Sequence, residues 1–243
     1  MRRTLGIIGG MGPLATCDLY RKIVEGTRAE SDGDHMRILI ESNNDVPDRS
    51  KAILHGEGDP IPALCASANR LAAAGADFLV IACNVAHRYI GEVRASVRVP
   101  VLSMIAEAAD EAHSLGLTTV GILATEGAIV AGIYERELDR YGIGCVLPRA
   151  GEIGAVTDMI YRCVKAGDRD YNPSAFRRVA ERLLSSGAQA LILGCTELPI
   201  AFERFGFGYP AIDPTAILAR AAIRFAGYPL RPPRLDSAKR APL

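Results

Sequence analysis

The chain has 243 residues, 49% of them hydrophobic and 23% charged, and its 28 basic and 28 acidic residues give a formal net charge of zero. A nucleic-acid groove or an anionic membrane surface requires a basic excess, so neither is expected as a partner. No apolar run approaches the roughly 18 residues of a membrane span, and the N-terminus breaks into glycines too early for a signal peptide. We therefore expect a cytoplasmic globular protein.

Apolar runs alternate with amphipathic stretches along the whole chain. Strands are predicted at residues 5–9, 37–41, 78–82, 100–102, 119–123, 143–147, 190–194 and 210–212. Helices are predicted at residues 13–28, 60–74, 86–96, 104–115, 128–141, 152–166, 173–186 and 214–226. Strands that alternate with helices indicate parallel sheets covered on both faces, which predicts an α/β fold.

An internal repeat divides this pattern in two. The segment NRLAAAGADFLVIACN resembles ERLLSSGAQALILGCT, and TLGIIGG resembles TVGILAT. Matching positions lie 112 residues apart in the first pair of segments and 115 apart in the second: Arg70 and Arg182, Gly75 and Gly187, Cys83 and Cys195, Thr4 and Thr119. Such a repeat indicates an ancestral duplication. It predicts two pseudo-symmetric parallel-sheet α/β domains with the active site in the cleft between them.

The same repeat places the domain boundaries. We expect the first domain at residues 1–102 and the second at 103–210. A helix within residues 211–228 is expected to return to the first domain, and residues 229–243, rich in proline and charge, to form a flexible tail.

Two of the six cysteines stand out by their position. All six are widely spaced with no CxxC pair, which favours free thiols in a reducing compartment. Cys83 and Cys195 directly follow predicted strands, and ligands of parallel α/β sheets bind beyond the carboxyl ends of the strands. The backbone amides that open the next helix should favour thiolate there and lower the pKa from its usual value of about 8.5.

Two thiols that flank one cleft suit the racemisation of a carbon acid. One thiolate removes the α-proton while the opposite thiol returns a proton from behind, provided that each sulfur approaches within about 3–3.5 Å of the reacting centre. Hydrogen bonds to a carboxylate would stabilise the carbanion without a cofactor. Two alternatives remain open: both cysteines could simply be packed in the core, or they could bind a metal ion together with His87.

The segment GGMGPLA follows the first strand and contains a partial dinucleotide fingerprint, Gly10, Gly12 and Ala15. No acidic residue lies at a clear strand end about 20 positions further on, since Glu41 is too distant. We interpret the loop as a lip of the substrate cleft, with Met11 facing the ligand. Nucleotide binding is the alternative.

Five segments carry a resemblance to a known family: GIIGGMGPLAT, VPDRS, ACNVAH, LATEGAIVAGIYERELDRYGI and LGCTE. Over residues 4–226 the chain resembles the aspartate/glutamate racemase family, and most resembles its cofactor-independent aspartate racemases. The resemblance implies two pseudo-symmetric α/β domains, a two-cysteine mechanism, a small amino-acid substrate, no metal ion or pyridoxal phosphate, and a homodimer.

The resemblance also assigns roles to individual residues. It implies that Cys83 and Cys195 are the catalytic pair, that Arg49 holds a substrate carboxylate, and that Lys165 contributes to the site of the distal carboxylate. A guanidinium group suits the first of these carboxylates because it can pair with it through two parallel hydrogen bonds.

Further substrate contacts are implied next to each cysteine. Asn84 and the backbone of Val85 and Ala86 match the loop that receives the α-carboxylate or the amino group. Thr196 and Glu197 play the corresponding part in the second half.

The chain departs from the family pattern at three places. Val85 replaces a threonine, Ala128 replaces a second threonine, and Gly151, Glu152 and Ile153 replace an acidic and glutamine-containing run. Loss of hydroxyl groups from a site can change its substrate preference by orders of magnitude. A hydantoin racemase, a dicarboxylate cis-trans isomerase and an inactive ligand-binding homologue therefore remain alternatives to an acidic amino-acid racemase.

Overall fold

The computed structural model describes residues 2–232, and two parallel β-sheets form its framework. The strands are β1 (Leu5–Gly9), β2 (Ile38–Ser42), β3 (Phe78–Ile81), β4 (Thr119–Leu123), β5 (Gly144–Val146), β6 (Ala190–Leu193) and β7 (Ala211–Ile212). The first sheet has the order β2-β1-β3 and the second β5-β4-β6-β7. The predicted fold class, two parallel-sheet α/β units, is confirmed.

Eleven α-helices connect the strands within residues 2–232: α1 (Pro13–Gly26), α2 (Arg49–His55), α3 (Ile61–Ala73), α4 (Ile90–Ser96), α5 (Met104–Ser114), α6 (Glu126–Val130), α7 (Ile133–Asp139), α8 (Ala150–Asp158), α9 (Ser174–Ser185), α10 (Leu198–Phe205) and α11 (Pro214–Phe225). Short 3₁₀ turns occur at Asp32–Asp34 and Val85–Tyr89, and a π-helical segment at Met159–Lys165 extends α8. None of these helices is long and apolar enough to cross a membrane.

The two sheets have equivalent strand orders. β1 and β4 are central, β2 and β5 flank them on one side, and β3 and β6 on the other. Beyond β6 lies β7, whereas beyond β3 a single bridge between Leu79 and Val101 takes the equivalent place. The predicted strand at 100–102 is thus reduced to one pairing.

Side chains alternate between the faces of the strands and thereby build separate cores. In the first sheet, Leu5 and Ile7 face α1 and α11, while Ile8 points to the opposite side. In the second sheet, Ile122 and Ile192 pack in the same cluster as Ile8. One continuous apolar layer therefore lies between the two sheets and joins them.

Some predicted helices are divided or change geometry in the structure, and two observed helices were not predicted. The predicted helix 128–141 is split into α6 and α7 by Gly132, which has a φ of 57° that favours glycine. The predicted helix 152–166 changes to π-helical geometry at Met159. Helices α2 and α10 were not predicted, although Asp48 caps the first and Pro199 opens the second.

Helix α11 lies on the first sheet's side of the molecule. It packs against α1 and α5 and buries Leu218, Ala222 and Ile223 with the outer face of that sheet. After α11, Leu230 forms an antiparallel bridge with Thr27, and the backbone amide of Arg231 donates to the carbonyl of Gly26 at 2.7 Å. Of the predicted tail 229–243, the part from residue 233 onward lies outside the described residues.

Candidate active site

The two cysteines occupy equivalent positions beyond the carboxyl ends of their strands. Cys83 is the second residue after β3, and Cys195 is the second residue after β6. Both are buried, with 5% and 7% of their surfaces exposed. Each lies within electrostatic reach of the other and of the Lys165 ammonium group.

A cavity of about 380 Å³ opens between the two halves of the chain. It is lined by Gly10, Met11, Gly12, Pro13, Leu14, Val46, Asp48, Arg49, Tyr161, Val164, Lys165 and Glu197. Four predicted site residues, Met11, Arg49, Lys165 and Glu197, are therefore brought together. The other six, Cys83, Asn84, Val85, Ala86, Cys195 and Thr196, do not line the cavity and are buried.

Arg49 connects the cavity to Cys83. Its Nη1 donates to the carbonyls of Val46 (3.2 Å) and Pro47 (3.1 Å), and its Nη2 donates to the carbonyl of Met11 (3.2 Å). Burial opposes its charge, but the facing Cys83 sulfur and the Asp48 carboxylate outweigh burial and raise the pKa of Arg49. Its buried Nε has no hydrogen-bond partner. Nε and the second hydrogen of Nη2 leave one side of the guanidinium group available to a carboxylate.

Glu197 connects the cavity to Cys195. The Cys195 thiol donates to Glu197 Oε2 at 3.0 Å, and the Thr196 hydroxyl donates to the same oxygen at 3.2 Å. Lys165 Nζ lies 3.8 Å from Oε1. Burial, followed by the negative charge of Glu197, raises the pKa of Cys195 well above 9. The prediction that helix amides lower this pKa was wrong, because burial and, after it, the carboxylate of Glu197 outweigh them.

Lys165 and Tyr161 form another part of the cavity wall. Both lie on the π-helical segment, where the ammonium group stacks 4.6 Å from the centre of the Tyr161 ring. The Tyr161 hydroxyl donates across the cavity to Asp48 Oδ2 at 3.3 Å. Sequence reasoning missed both Tyr161 and Asp48, although Tyr161 precedes Lys165 by four residues and Asp48 lies beside Arg49 in the PDRS segment.

Asn84 lies below the cavity with 1% of its surface exposed. Its Oδ1 accepts a hydrogen bond from the hydroxyl of Tyr134, while its Nδ2 is buried without a partner. Val85 and Ala86 follow it in a buried 3₁₀ turn. Tyr134, which comes from α7, was not singled out as a site residue from the sequence.

His87 holds the backbone beneath Cys83. Its Nε2 accepts from the Met104 amide at 3.0 Å, so Nδ1 carries the proton and donates to the Cys83 carbonyl at 2.8 Å. Burial lowers the pKa of His87 to about 4, and the ring stays neutral. With both nitrogens engaged, His87 is not available to a metal ion. Within residues 2–232, no group of three or more His, Cys, Asp or Glu side chains is arranged as a metal site.

The helix that carries Arg49 is held against the second half by a close contact. Ser50 Oγ, in α2, donates to Thr125 Oγ1 at 3.2 Å. A Cβ atom on Gly127, in α6, would lie only 2.7 Å from the Ser50 Cα. Glycine is therefore required at this point for α2 and α6 to approach each other, and this approach fixes Arg49 relative to the second sheet.

Comparisons with known proteins agree with this architecture. The family model described as Asp/Glu/Hydantoin racemase matches residues 8–222. The broad specificity amino-acid racemase RacX of Bacillus subtilis (strain 168) is 26% identical over 90% of this chain and 96% of its own length. The structure of Picrophilus torridus aspartate racemase superposes with a TM-score of 0.81 at 32% identity, covering 94% of this chain and 96% of the other. An aspartate racemase homologue from Pyrococcus horikoshii OT3 gives a TM-score of 0.74 at 27% identity, with 92% and 99% covered.

Proposed function

We propose, on the premise that this chain belongs to the Asp/Glu/Hydantoin racemase family, that it interconverts the enantiomers of an acidic amino acid, aspartate or glutamate. The observation that carries the proposal is the pair of buried thiols at equivalent strand ends. Each is joined to one cavity by a charged side chain, Arg49 for Cys83 and Glu197 for Cys195.

In the proposed reaction the two thiols act from opposite faces of the α-carbon. The Cys83 thiolate removes the α-proton, so an S–H bond forms, the Cα–H bond breaks, and its electron pair passes into the substrate carboxylate as an enolate. The Cys195 thiol then delivers its proton to the opposite face and becomes the thiolate. The reverse reaction exchanges these roles.

The resting protonation states suggest which cysteine is the acid. The high pKa of Cys195 and its hydrogen bond to Glu197 support a protonated thiol at neutral pH. Arg49 faces the sulfur of Cys83, so a cation lies beside the cysteine that the proposal assigns as the base. The proposed assignment gives the free enzyme one acid and one base.

The substrate carboxylates would meet the cationic and amide groups of the cavity. The open side of Arg49 suits one carboxylate, and Lys165 suits the distal one. Asn84, with the backbone of Val85 and Ala86, would receive the α-carboxylate or the amino group, and its unpaired donor Nδ2 suits the carboxylate. Thr196 and Glu197 take the corresponding place in the second half. A cytoplasmic homodimer that works without a metal ion or pyridoxal phosphate stays a prediction.

A racemase of broad specificity is the second candidate. Met11, Leu14, Val46 and Val164 provide apolar lining, and Glu197 already lies 3.8 Å from Lys165. A partly neutralised Lys165 would discriminate less strongly for a second carboxylate. The relative from Bacillus subtilis, which carries the description of a broad specificity amino-acid racemase, also favours this candidate.

The test is a panel of L- and D-amino acids in deuterated water, followed by proton NMR. Wild type should incorporate solvent deuterium at the α-position and invert the configuration of aspartate or glutamate. Cys83→Ser and Cys195→Ser should abolish inversion, with exchange persisting in one of them through the surviving thiol. Cys17→Ser, at an exposed cysteine, is the matched control and should behave as wild type.

The panel also separates the alternatives. Inversion of many uncharged amino acids at similar rates would favour the broad-specificity candidate. Exchange with none of the amino acids would overturn the racemase proposal, and tight binding without exchange would favour a ligand-binding homologue.

A further inference from the structure

Tyr134 is the buried side chain that touches both cysteine loops. It has 1% of its surface exposed, and its hydroxyl donates to Asn84, the residue after Cys83. Its ring packs on the loop of the other cysteine, where a Cβ on Gly194 would lie 3.1 Å from Tyr134 Cε2. One residue of α7 thus contacts the neighbours of both thiols.

The hydroxyl of Tyr134 determines how the Asn84 amide is oriented. Burial raises the pKa of Tyr134 well above 10, so the hydroxyl keeps its proton and remains a donor. A donor must face the carbonyl oxygen of the amide, which leaves Nδ2 on the other side. Without the Tyr134 hydroxyl, the Asn84 amide could rotate so that its oxygen and nitrogen exchange positions.

The free side of the amide has no partner within residues 2–232. Asn84 Nδ2 is buried and forms no hydrogen bond among the described residues. A buried donor that stays unpaired costs about 1–3 kcal/mol, and most such groups in proteins are satisfied. A donor that is held in place yet unpaired is typical of a group that waits for a ligand acceptor.

We propose that Tyr134 is a positioning residue: it holds the Asn84 amide so that Nδ2 donates to a carboxylate of the bound amino acid. This inference rests on the proposed racemase function and adds to it a residue that itself does not touch the substrate. Because the ring packs on Gly194, the hydroxyl can be removed while the packing between the two loops is kept.

Tyr134→Phe is the variant that tests the role of the hydroxyl. Racemisation is measured by circular dichroism for the amino acid that wild type inverts fastest, with L-aspartate tried first. We expect KM to rise about tenfold and kcat/KM to fall 10- to 100-fold, since the amide no longer presents its donor reliably. Thermal unfolding checks that the variant is folded.

A double-mutant cycle with Asn84→Ala identifies the route of the effect. Once the amide is absent, removing the Tyr134 hydroxyl should change kcat/KM less than twofold, so the two losses should not multiply. A purely structural role for Tyr134 would instead lower kcat/KM by the same factor in both backgrounds, and this result would overturn the inference.

Tyr209→Phe is the matched control. Its hydroxyl donates to Glu181 at 2.9 Å, so this variant also loses one hydrogen bond to a side chain, at a tyrosine that does not line the cavity. It should leave KM unchanged. If wild type racemises and Tyr134→Phe has the KM of wild type, the inference fails alone. If wild type racemises nothing, the proposed function and the inference fall together.

Discussion

The Cys195 thiol donates a hydrogen bond of 3.0 Å to the Glu197 carboxylate, and both groups are buried, with Glu197 lining the cavity. A carboxylate in this position acts on the thiol in two ways. It accepts the hydrogen bond of the protonated thiol, and its negative charge disfavours the thiolate.

Glu197→Gln should therefore lower the pKa of Cys195. The side chain keeps its size, but the negative charge disappears. In the direction in which Cys195 supplies the proton, the high-pH limb of kcat/KM should move to lower pH by roughly one unit. Rates measured from pH 6 to 11 check this. Glu203→Gln, at a carboxylate that is 68% exposed, should leave the limb in place. An unmoved limb in Glu197→Gln would show that the carboxylate does not control the thiol.

Arg49→Lys should impair both the fold and the site. A lysine keeps the positive charge but cannot satisfy the carbonyls of Met11, Val46 and Pro47 at once. We expect a loss of about 1–3 kcal/mol in the free energy of unfolding and a fall in kcat/KM of about 100-fold. Urea denaturation and steady-state kinetics measure the two effects. Arg140→Lys, at a position that is 68% exposed, is the control, and equal behaviour of the two variants would contradict the prediction.

Gly127→Ala should separate α2 from α6. The new Cβ would lie 2.7 Å from the Ser50 Cα, which is backbone and cannot rotate away. We expect a loss of about 1–3 kcal/mol from overpacking and a reduced kcat/KM as Arg49 shifts. Gly154→Ala, in α8 with no atom within 4 Å of its new Cβ, should instead stabilise by about 1 kcal/mol. Opposite signs in urea denaturation support the close contact, while two stabilising substitutions would refute it.

The buried His87 should make the protein sensitive to acid. In the unfolded chain it binds a proton below its ordinary pKa of 6.5, whereas the folded protein excludes that proton down to about pH 4. Stability is therefore lost as the pH falls from 6.5 to 4, by about 3 kcal/mol from this group. His87→Gln can keep one donor and one acceptor, and its stability should fall less over this range. Urea denaturation at each pH measures the difference, with the exposed His55→Gln as control. Parallel curves for His87→Gln and wild type would disprove the assignment.

The features that could be predicted from the sequence are those that recur in both halves of the repeat and those that follow from strands buried on both faces. Cys83 and Cys195 were found because each ends an apolar run in matching segments, and a buried parallel strand leaves such a run. Arg49 and Lys165 were found only through the resemblance, since an isolated charge has no local signature.

What the sequence did not predict depends on contacts between distant residues or on competing local effects. Tyr134 lies 50 positions from Asn84, so no spacing rule connects them. The raised pKa of Cys195 required knowing that the Glu197 side chain turns back toward the thiol. Helix α10 begins after Glu197 and has a proline near its start and Gly206 at its end, both of which are helix signals. It was not predicted because it is only eight residues long.

The attachment of α11 to the first sheet has a consequence for synthesis on the ribosome. Leu5, Ile7 and Phe78 are synthesised early, yet α11, which packs on them through Leu218, Ala222 and Ile223, begins more than 130 residues after Phe78 (214−78 = 136). Until then α1 is the earlier of the two helices that pack on this face of the first sheet, and the part that α11 buries stays exposed to water. The core of the first half is therefore completed only when nearly the whole chain has been synthesised.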